Sequence, residues 1–318
     1  MRVAVVHGGF SSEAVYSTEN AECVHEALLK KGYDSYMQDY DENIVENLKK
    51  RKPDAVFLCV QGMHHGDGTL QGILDLLKIP YTGSRMEYAA VINDKVFCQS
   101  IFDMEGFPVA KHFSFRLDEY ESPDGPAILE KRMEEHNMRY PIVSKSPSQG
   151  ACIGIHYIRS AEQYDRISQS FLGDEQILIE DFVEGIGFTA PLVQDGKKWL
   201  ALPLIYGRKI DISNGTKTGF DISHKQDLVH FSPETTKRIQ DTAIRAAKVI
   251  GARGYCRVDF MMDPKEDKET LLEINAVPGL RKGSLFPVAA EAAGIAFEDL
   301  IEMILLNCLD QKEDTHAQ

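Results

Sequence analysis

A chain of 318 residues, 43% hydrophobic and 26% charged, is a globular protein with room for two or three domains of ordinary size. A formal net charge of −14 argues against a nucleic-acid binder, which needs a basic face for phosphates. No apolar run approaches the roughly 20 residues that span a bilayer, and the six cysteines are scattered without a C-x-x-C pair, so a cytoplasmic protein with reduced thiols is expected. Any anionic ligand must then be met by a few placed cations or by metal.

In chain order, Val3–Val6 reads as a short buried strand ending in His7-Gly8-Gly9. Ser17–Lys31 follows as a helix with Cys23, Val24, Ala27 and Leu28 on one face, and Gly32 sits where a C-cap glycine belongs. Asp54–Val60 is a second buried strand, and Gly68–Leu77 is a helix running into a strand at Ile79–Thr82. Strands separated by helices predict a parallel sheet with helices on its faces and ligands at the strands' carboxyl ends, where His7-Gly8-Gly9 and Gln61-Gly62 fall.

A second unit runs from Asp94 to Asp181. It holds a helix at Lys95–Glu105, a charge-rich linker and helix through Asn137, strands at Tyr140–Lys145 and Gly154–Ile158 around a glycine-containing turn, and a strand at Gln176–Glu180. From Phe182 onward come several strands, a helix at Pro233–Ile250, two more strands and a last helix at Phe297–Leu309, with a polar end from Asp310. There is no internal repeat.

The chemistry concentrates between Gly254 and Gly283. A strand's period of two places Arg257 and Asp259 on one face of Tyr255–Phe260, with Val258 and Phe260 on the other. Leu271–Asn275 likewise puts Glu273 and Asn275 together, opposite Leu272 and Ile274. The polar link Asp263-Pro264-Lys265-Glu266-Asp267-Lys268 suits a hairpin turn. Closed, such a hairpin gathers two carboxylates, an amide oxygen and a guanidinium. Those are hard ligands for Mg²⁺ and a cation for an anionic oxygen, or else two ordinary salt bridges.

Two further segments are suggestive. Lys145-Ser146-Pro147-Ser148-Gln149-Gly150-Ala151-Cys152-Ile153-Gly154 is a strand-borne lysine and a small-residue turn, able to approach phosphates or to serve as a plain hairpin turn. Ile177–Gly185 is an apolar strand running out into acidic residues, which presents Glu180 to a base or ribose or simply ends. His64-His65 has no metal-like partner at helical spacing, and Trp199 reads as packing.

These elements in this order resemble the D-alanine–D-alanine ligases of the ATP-grasp superfamily over nearly the whole chain. The landmarks are His7–Glu13, Gly66–Gly72, Ile79–Ser84, Asp94-Lys95, Arg253–Asp259 and Glu273–Gly279. The resemblance implies an α/β chain (α+β overall) with the ATP-grasp fold in three domains. These are an N-terminal parallel α/β substrate domain (1–93) and central (94–181) and C-terminal (182–318) ATP-grasp subdomains. It implies ATP and two Mg²⁺ ions as cofactors, a carboxylate and an amine as substrates, an acyl phosphate on the path, ADP and phosphate as products, and a homodimer.

Roles follow from the same resemblance. Lys95, Lys145 and Lys225 match phosphate contacts, and Glu180, Asp181, Phe182 and Val183 match the adenosine pocket. Asp259, Glu273 and Asn275 match the Mg²⁺ ligands, and Arg257 and the Gly279 amide match the groups that stabilise the tetrahedral intermediate. Glu13 matches the residue that receives the first amino acid's amino group, and Ser284 one that holds the second substrate's carboxylate. The segment Tyr206–Gln226 matches the loop that closes over the site.

Departures cluster around the amino-acid pocket. The family's paired serines are Ala151 and Cys152, its loop tyrosine is Gln226, and its His-Gly is Gln61-Gly62. Gly66 and Gly187 stand where the family has acidic residues. Neither alanine nor glutamine titrates near neutral pH. An active ligase whose substrates are not two D-alanines is therefore expected. The alternatives are a D-alanine–D-alanine ligase with a tolerant pocket and an ATP-binding regulator without catalysis, which would have no need of Arg257.

Overall fold

The computed structural model describes residues 1–10, 14–60, 66–150, 152–206 and 228–315, without the side chains of 310–315. The first strands, β1 (Arg2–His7), β2 (Asp34–Asp39) and β3 (Ala55–Leu58), form a parallel sheet in the order β2-β1-β3. Strand alternation assigns β1 to two cores. Val3 and Val5 pack with Ala21, Val24, Ala27 and Leu28 of α1 (Ala14–Lys30), whereas Ala4 and Val6 face Ile44 and Leu48 of α2 (Ile44–Arg51) and Leu70 and Leu74 of α3 (Thr69–Leu77). Gly32 adopts a φ of +82° just after α1, as a helix terminator should.

The expected strand at Ile79–Thr82 is reduced to one parallel bridge between Val56 and Tyr81. The Val56 amide donates to the Pro80 carbonyl at 2.8 Å and the Thr82 amide to the Val56 carbonyl at 3.0 Å. Pro80 has no N–H with which to extend the ladder, and the Leu58 amide donates to the Thr82 hydroxyl at 3.0 Å instead. The polar strand β2 and the short helix α2 carry little hydrophobic signal and were not expected.

Helix α4 (Met86–Asn93) leads into α5 (Lys95–Met104), whose start is fixed by Asp94: its carboxylate accepts from the Val96 and Phe97 amides at 2.9 and 3.1 Å. The charge-rich linker beyond it conceals a strand, β4 (His112–Arg116), before α6 (Leu117–Tyr120) and α7 (Gly125–Glu135). Strands β5 (Ile142–Lys145), β6 (Ile155–Ile158) and β7 (Gln176–Asp181) complete an antiparallel sheet ordered β4-β7-β5-β6. A 3₁₀ segment at Ala161–Ser170 and α7 cover its apolar face, built on Phe113, Phe115, Ile142, Ile158, Ile177 and Ile179.

The third sheet joins β8 (Ile186–Asp195), β9 (Lys198–Ala201), β10 (Ile205–Tyr206), β11 (Tyr255–Asp263) and β12 (Lys268–Asn275) in the order β10-β8-β11-β12, with β9 on β8. Its core takes in Ile239, Ala243 and Ala246 of α8 (Pro233–Val249), Cys98 and Phe102 of α5, and Trp199. Phe188 and Phe260 stack there at 5.5 Å. Phe260→Ala is expected to cost about 3–5 kcal/mol, because a fully buried ring leaves a cavity. Urea titration read on Trp199, which lies in the same core, measures it; a loss below about 1 kcal/mol contradicts this packing.

Helices α9 (Leu285–Ala292) and α10 (Phe297–Thr315) close the chain. Leu300, Ile301, Ile304 and Leu305 of α10 share a core with Val3, Val5 and Phe57, so the chain's last helix packs on its first sheet. That helix runs past the expected end at Leu309 to Thr315. Among the described residues, no helix is long and apolar enough to cross a membrane.

Candidate active site

Strands β11 and β12 pair antiparallel with Arg257 opposite Asn275 and Asp259 opposite Glu273, so all four side chains share one face. Val258, Phe260 and Met262 are buried on the other face, while Arg257 and Asp259 are half-buried. The turn between the strands is stabilised by the Asp263 carboxylate, which accepts from the Lys265 amide at 2.8 Å. One expectation fails. Leu271, not Leu272, packs into the core, because the register shifts between Asp259 and Phe260. Leu272 is the extra residue of a β-bulge.

Arg257 holds Asp259 with two parallel bonds, Nε to Oδ1 and Nη2 to Oδ2, each 2.8 Å. Burial pushes the Asp259 carboxyl up, Arg257 pulls it down, and the facing Glu273 carboxylate adds to the rise. Burial also opposes the Glu273 charge, but Lys95, Lys145 and Arg257 hold that carboxyl below its ordinary range. The Asn275 Oδ1 accepts the Val277 amide at 2.9 Å, which fixes the direction of its carbonyl.

The central sheet delivers Lys145 and Glu180 from neighbouring strands, and their side chains form an ion pair with only 12% and 6% exposed. Burial opposes the lysine's charge, yet Glu180 and, beyond it, Glu273 raise its pKa above the ordinary value. Lys95 Nζ donates to the Gln149 carbonyl at 2.7 Å, and its backbone amide donates to the Pro147 carbonyl at 3.2 Å. The glycine-containing turn is thereby fastened to the start of α5. Ser146 and Ser148 both donate to the Asp174 carboxylate, at 2.8 and 3.0 Å, and the Ser146 amide donates to the Gly154 carbonyl at 3.0 Å.

Within that turn, Cys152 has a φ of +61°, a left-handed conformation that few side chains adopt. Asp181 at the end of β7, and Phe182 and Val183 beyond it, are half-exposed, with the Phe182 ring edge-on to Tyr157 at 4.8 Å. Gly187 lies opposite Met261 on β11.

Gly279 and Ser284 come to the side of α1. The Leu280 amide donates to Asn20 Oδ1 at 2.8 Å, and Arg281 pairs with Glu19 while lying over the Tyr16 ring at 5.2 Å. Ser284 precedes α9 without capping it through its hydroxyl, and a Cβ on Gly279 would lie 3.4 Å from that hydroxyl. At the end of β1, Gly8 and Gly9 have φ of +79° and +94°, and the Gly8 amide donates to the Ser17 hydroxyl at 3.0 Å.

Glu13, Gln61, His64, His65, Ala151, Lys225 and Gln226, and the loop from residue 207, lie outside the described residues. Of the remaining expected residues, Arg257, Asp259, Glu273, Lys95, Lys145 and Glu180 are electrostatically connected across two sheets and one helix start, and Asn275 shares the hairpin face. Asn20, Asp174 and Gln99 escaped notice in the sequence. Their partners lie far along the chain, and no spacing signals them.

Among the described residues, no three histidine, cysteine or acidic side chains gather as a metal set. On this face, the two carboxylates and the Asn275 amide oxygen are the oxygen donors a cation could take. That donor set, all oxygen with two facing half-buried carboxylates, fits a hard divalent ion such as Mg²⁺.

The family described as "D-ala D-ala ligase C-terminus" matches residues 101–306. The chain is 34% identical to the D-alanine–D-alanine ligase of Carboxydothermus hydrogenoformans, over 98% of this chain and all of that protein. It is 33% identical to the ligase of Pelotomaculum thermopropionicum, over 96% of each. The crystal structure of the Bacillus anthracis D-alanine–D-alanine ligase complexed with ATP superposes with a TM-score of 0.82 at 26% identity, covering 99% of both chains. That of the Coxiella burnetii ligase gives 0.81 at 22% identity, covering 99% of this chain and 96% of the other, a likeness of fold.

Proposed function

The chain belongs to the D-alanine–D-alanine ligase family and is an ADP-forming carboxylate–amine ligase, and we propose that its preferred substrate pair is not two D-alanines. The observation that carries the ligase site is the shared hairpin face of Arg257, Asp259, Glu273 and Asn275.

Asp259, Glu273 and Asn275 would hold Mg²⁺, which would neutralise phosphate charge and polarise the transferred phosphoryl group. Lys95, Lys145 and Lys225 contact the phosphates of ATP, and Glu180, Asp181, Phe182 and Val183 line the adenosine. Lys145 is paired with the buried Glu180, and Arg257 with the half-buried Asp259 beside Glu273. A polyphosphate entering among cations already paired with acids needs accompanying cations, in keeping with the two Mg²⁺ ions the family resemblance implies.

The carboxylate substrate attacks the γ-phosphorus, breaking its bond to the bridging oxygen and releasing ADP, to form an acyl phosphate. The amine then attacks its carbonyl carbon and loses a proton, and the tetrahedral intermediate expels phosphate. Arg257 and the Gly279 N–H steady the oxyanion of that second step. Glu13 receives the first substrate's amino group, Ser284 holds the second's carboxylate, and Gln61 and Gln226 shape the pocket between them. The family resemblance assigns to the 206–226 segment the exclusion of water, which otherwise hydrolyses the acyl phosphate.

Three units, 1–93, 94–181 and 182–318, working as a cytoplasmic homodimer, complete the reading, and cysteines not joined in disulfides support a reducing compartment. The test is a screen of amino-acid pairs and small acids for ATP-dependent ADP formation, with mass analysis of products. An amide product from a pair other than two D-alanines is expected. ADP formation with no pair, despite saturable ATP binding, contradicts the ligase site and favours a regulator.

A further inference from the structure

The bulge beside Glu273 has a clamp. Leu271 lies opposite Phe260 and Glu273 opposite Asp259, so Leu272 has no counterpart on β11. Regular alternation would put Leu271 and Glu273 on one face. The extra residue is what lets Leu271 enter the core while Glu273 faces Asp259.

Two contacts hold this irregularity, and both come from one stretch of chain. The Leu271 amide donates to the Pro108 carbonyl at 2.7 Å, next to a parallel bridge between Val109 and Leu271. The Leu272 carbonyl accepts from Nε2 of Gln99, a residue of α5 only 4% exposed. A carbonyl only accepts, so the amide must turn its NH₂ group toward Leu272. Its Oε1 is buried and has no partner among the described residues.

A half-satisfied amide is a poor core residue on stability grounds, where methionine of similar length would pack without an orphaned oxygen. Stability alone therefore does not explain it. Position does: α5 begins with Lys95, and four residues on, it grips the strand that carries Glu273.

We propose that Gln99 is a positioning residue for the Glu273 carboxylate, its side-chain amide clamping the Leu272 carbonyl so that the bulge aims Glu273 at Asp259. The inference rests on the reading of Glu273 as a metal ligand. Groups that orient a ligand typically change metal affinity by about 10–100-fold when removed.

The test is Mn²⁺ binding in the presence of ADP, followed by the electron-spin signal of free Mn²⁺ in the parent, Gln99→Met and Gln99→Asn. Gln99→Met is expected to weaken Mn²⁺ binding by about tenfold. Its thermal midpoint should be unchanged or higher, and its metal-free ADP affinity within about twofold of the parent at that scale of effect. The Mg²⁺ concentration for half-maximal ADP formation should rise by a similar factor. Gln99→Asn, one methylene short, should fall between, and it decides the matter by the same criterion if Gln99→Met does not fold. Mn²⁺ affinity within twofold of the parent overturns the proposal alone. A parent that binds no Mn²⁺ with ADP overturns the metal site and this inference with it.

Discussion

Glu273→Gln is expected to abolish ADP formation while leaving the fold intact. The substitution keeps the side chain's size and a carbonyl oxygen, and Glu273 stands on the half-buried face, away from the core formed by Leu271 and Ile274. What disappears is a charge. Lys95, Lys145 and Arg257 all act on that carboxylate, so glutamine leaves them with one acid fewer and gives a bound metal one anionic ligand fewer. In a site shielded from water, losing a placed charge costs several kcal/mol, which corresponds to about a thousandfold or more in rate. Steady-state ADP release at saturating ATP and Mg²⁺ measures it, with circular dichroism to check the fold. Turnover within about threefold of the parent, far below that cost, would remove Glu273 from the metal site.

The second large effect concerns substrate choice. D-alanine alone is expected to be a poor substrate, at least about tenfold below the best pair, because the hydroxyls that the family pattern places beside Glu13 are missing at Ala151 and Gln226. A buried polar group left without its partner costs roughly 1–3 kcal/mol, so two or three such changes together shift preference by powers of ten. Ala151→Ser with Gln226→Tyr should raise D-alanyl-D-alanine formation. The specificity constants of parent and double variant for D-alanine, beside that of the best screened pair, measure it. Should D-alanine prove the best substrate, these substitutions are neutral and the chain is an ordinary D-alanine–D-alanine ligase.

Legibility in the sequence followed the strength of the local signal. The hairpin was readable because strand alternation alone places Arg257, Asp259, Glu273 and Asn275 on one face, and the pairing matches. The same rule misassigned Leu272, since a bulge depends on contacts from Gln99 and Pro108, more than 160 residues earlier in the chain. β4 was hidden in a charged stretch, where only Phe113 and Phe115 alternate inward. Ile79–Thr82 has the composition of a strand, but Pro80 limits its pairing to one bridge. The Lys145–Glu180 ion pair was invisible for another reason. Each residue reads as an independent ligand contact, and only the adjacency of β5 and β7 brings them together.

The order of bond making in the proposed reaction is tested most directly by isotope transfer. A carboxylate substrate labelled with ¹⁸O in both oxygens is incubated with the enzyme, ATP, Mg²⁺ and the amine, and the nucleotide and phosphate are separated for mass analysis. Attack on the γ-phosphorus leaves one carboxylate oxygen bonded to phosphorus, and amide formation then releases phosphate carrying that oxygen. The expected result is one ¹⁸O in each phosphate, ADP as the nucleotide, and an amide retaining the other label. Label in AMP, with pyrophosphate released, or unlabelled phosphate alongside ADP, would contradict activation of the carboxylate as an acyl phosphate.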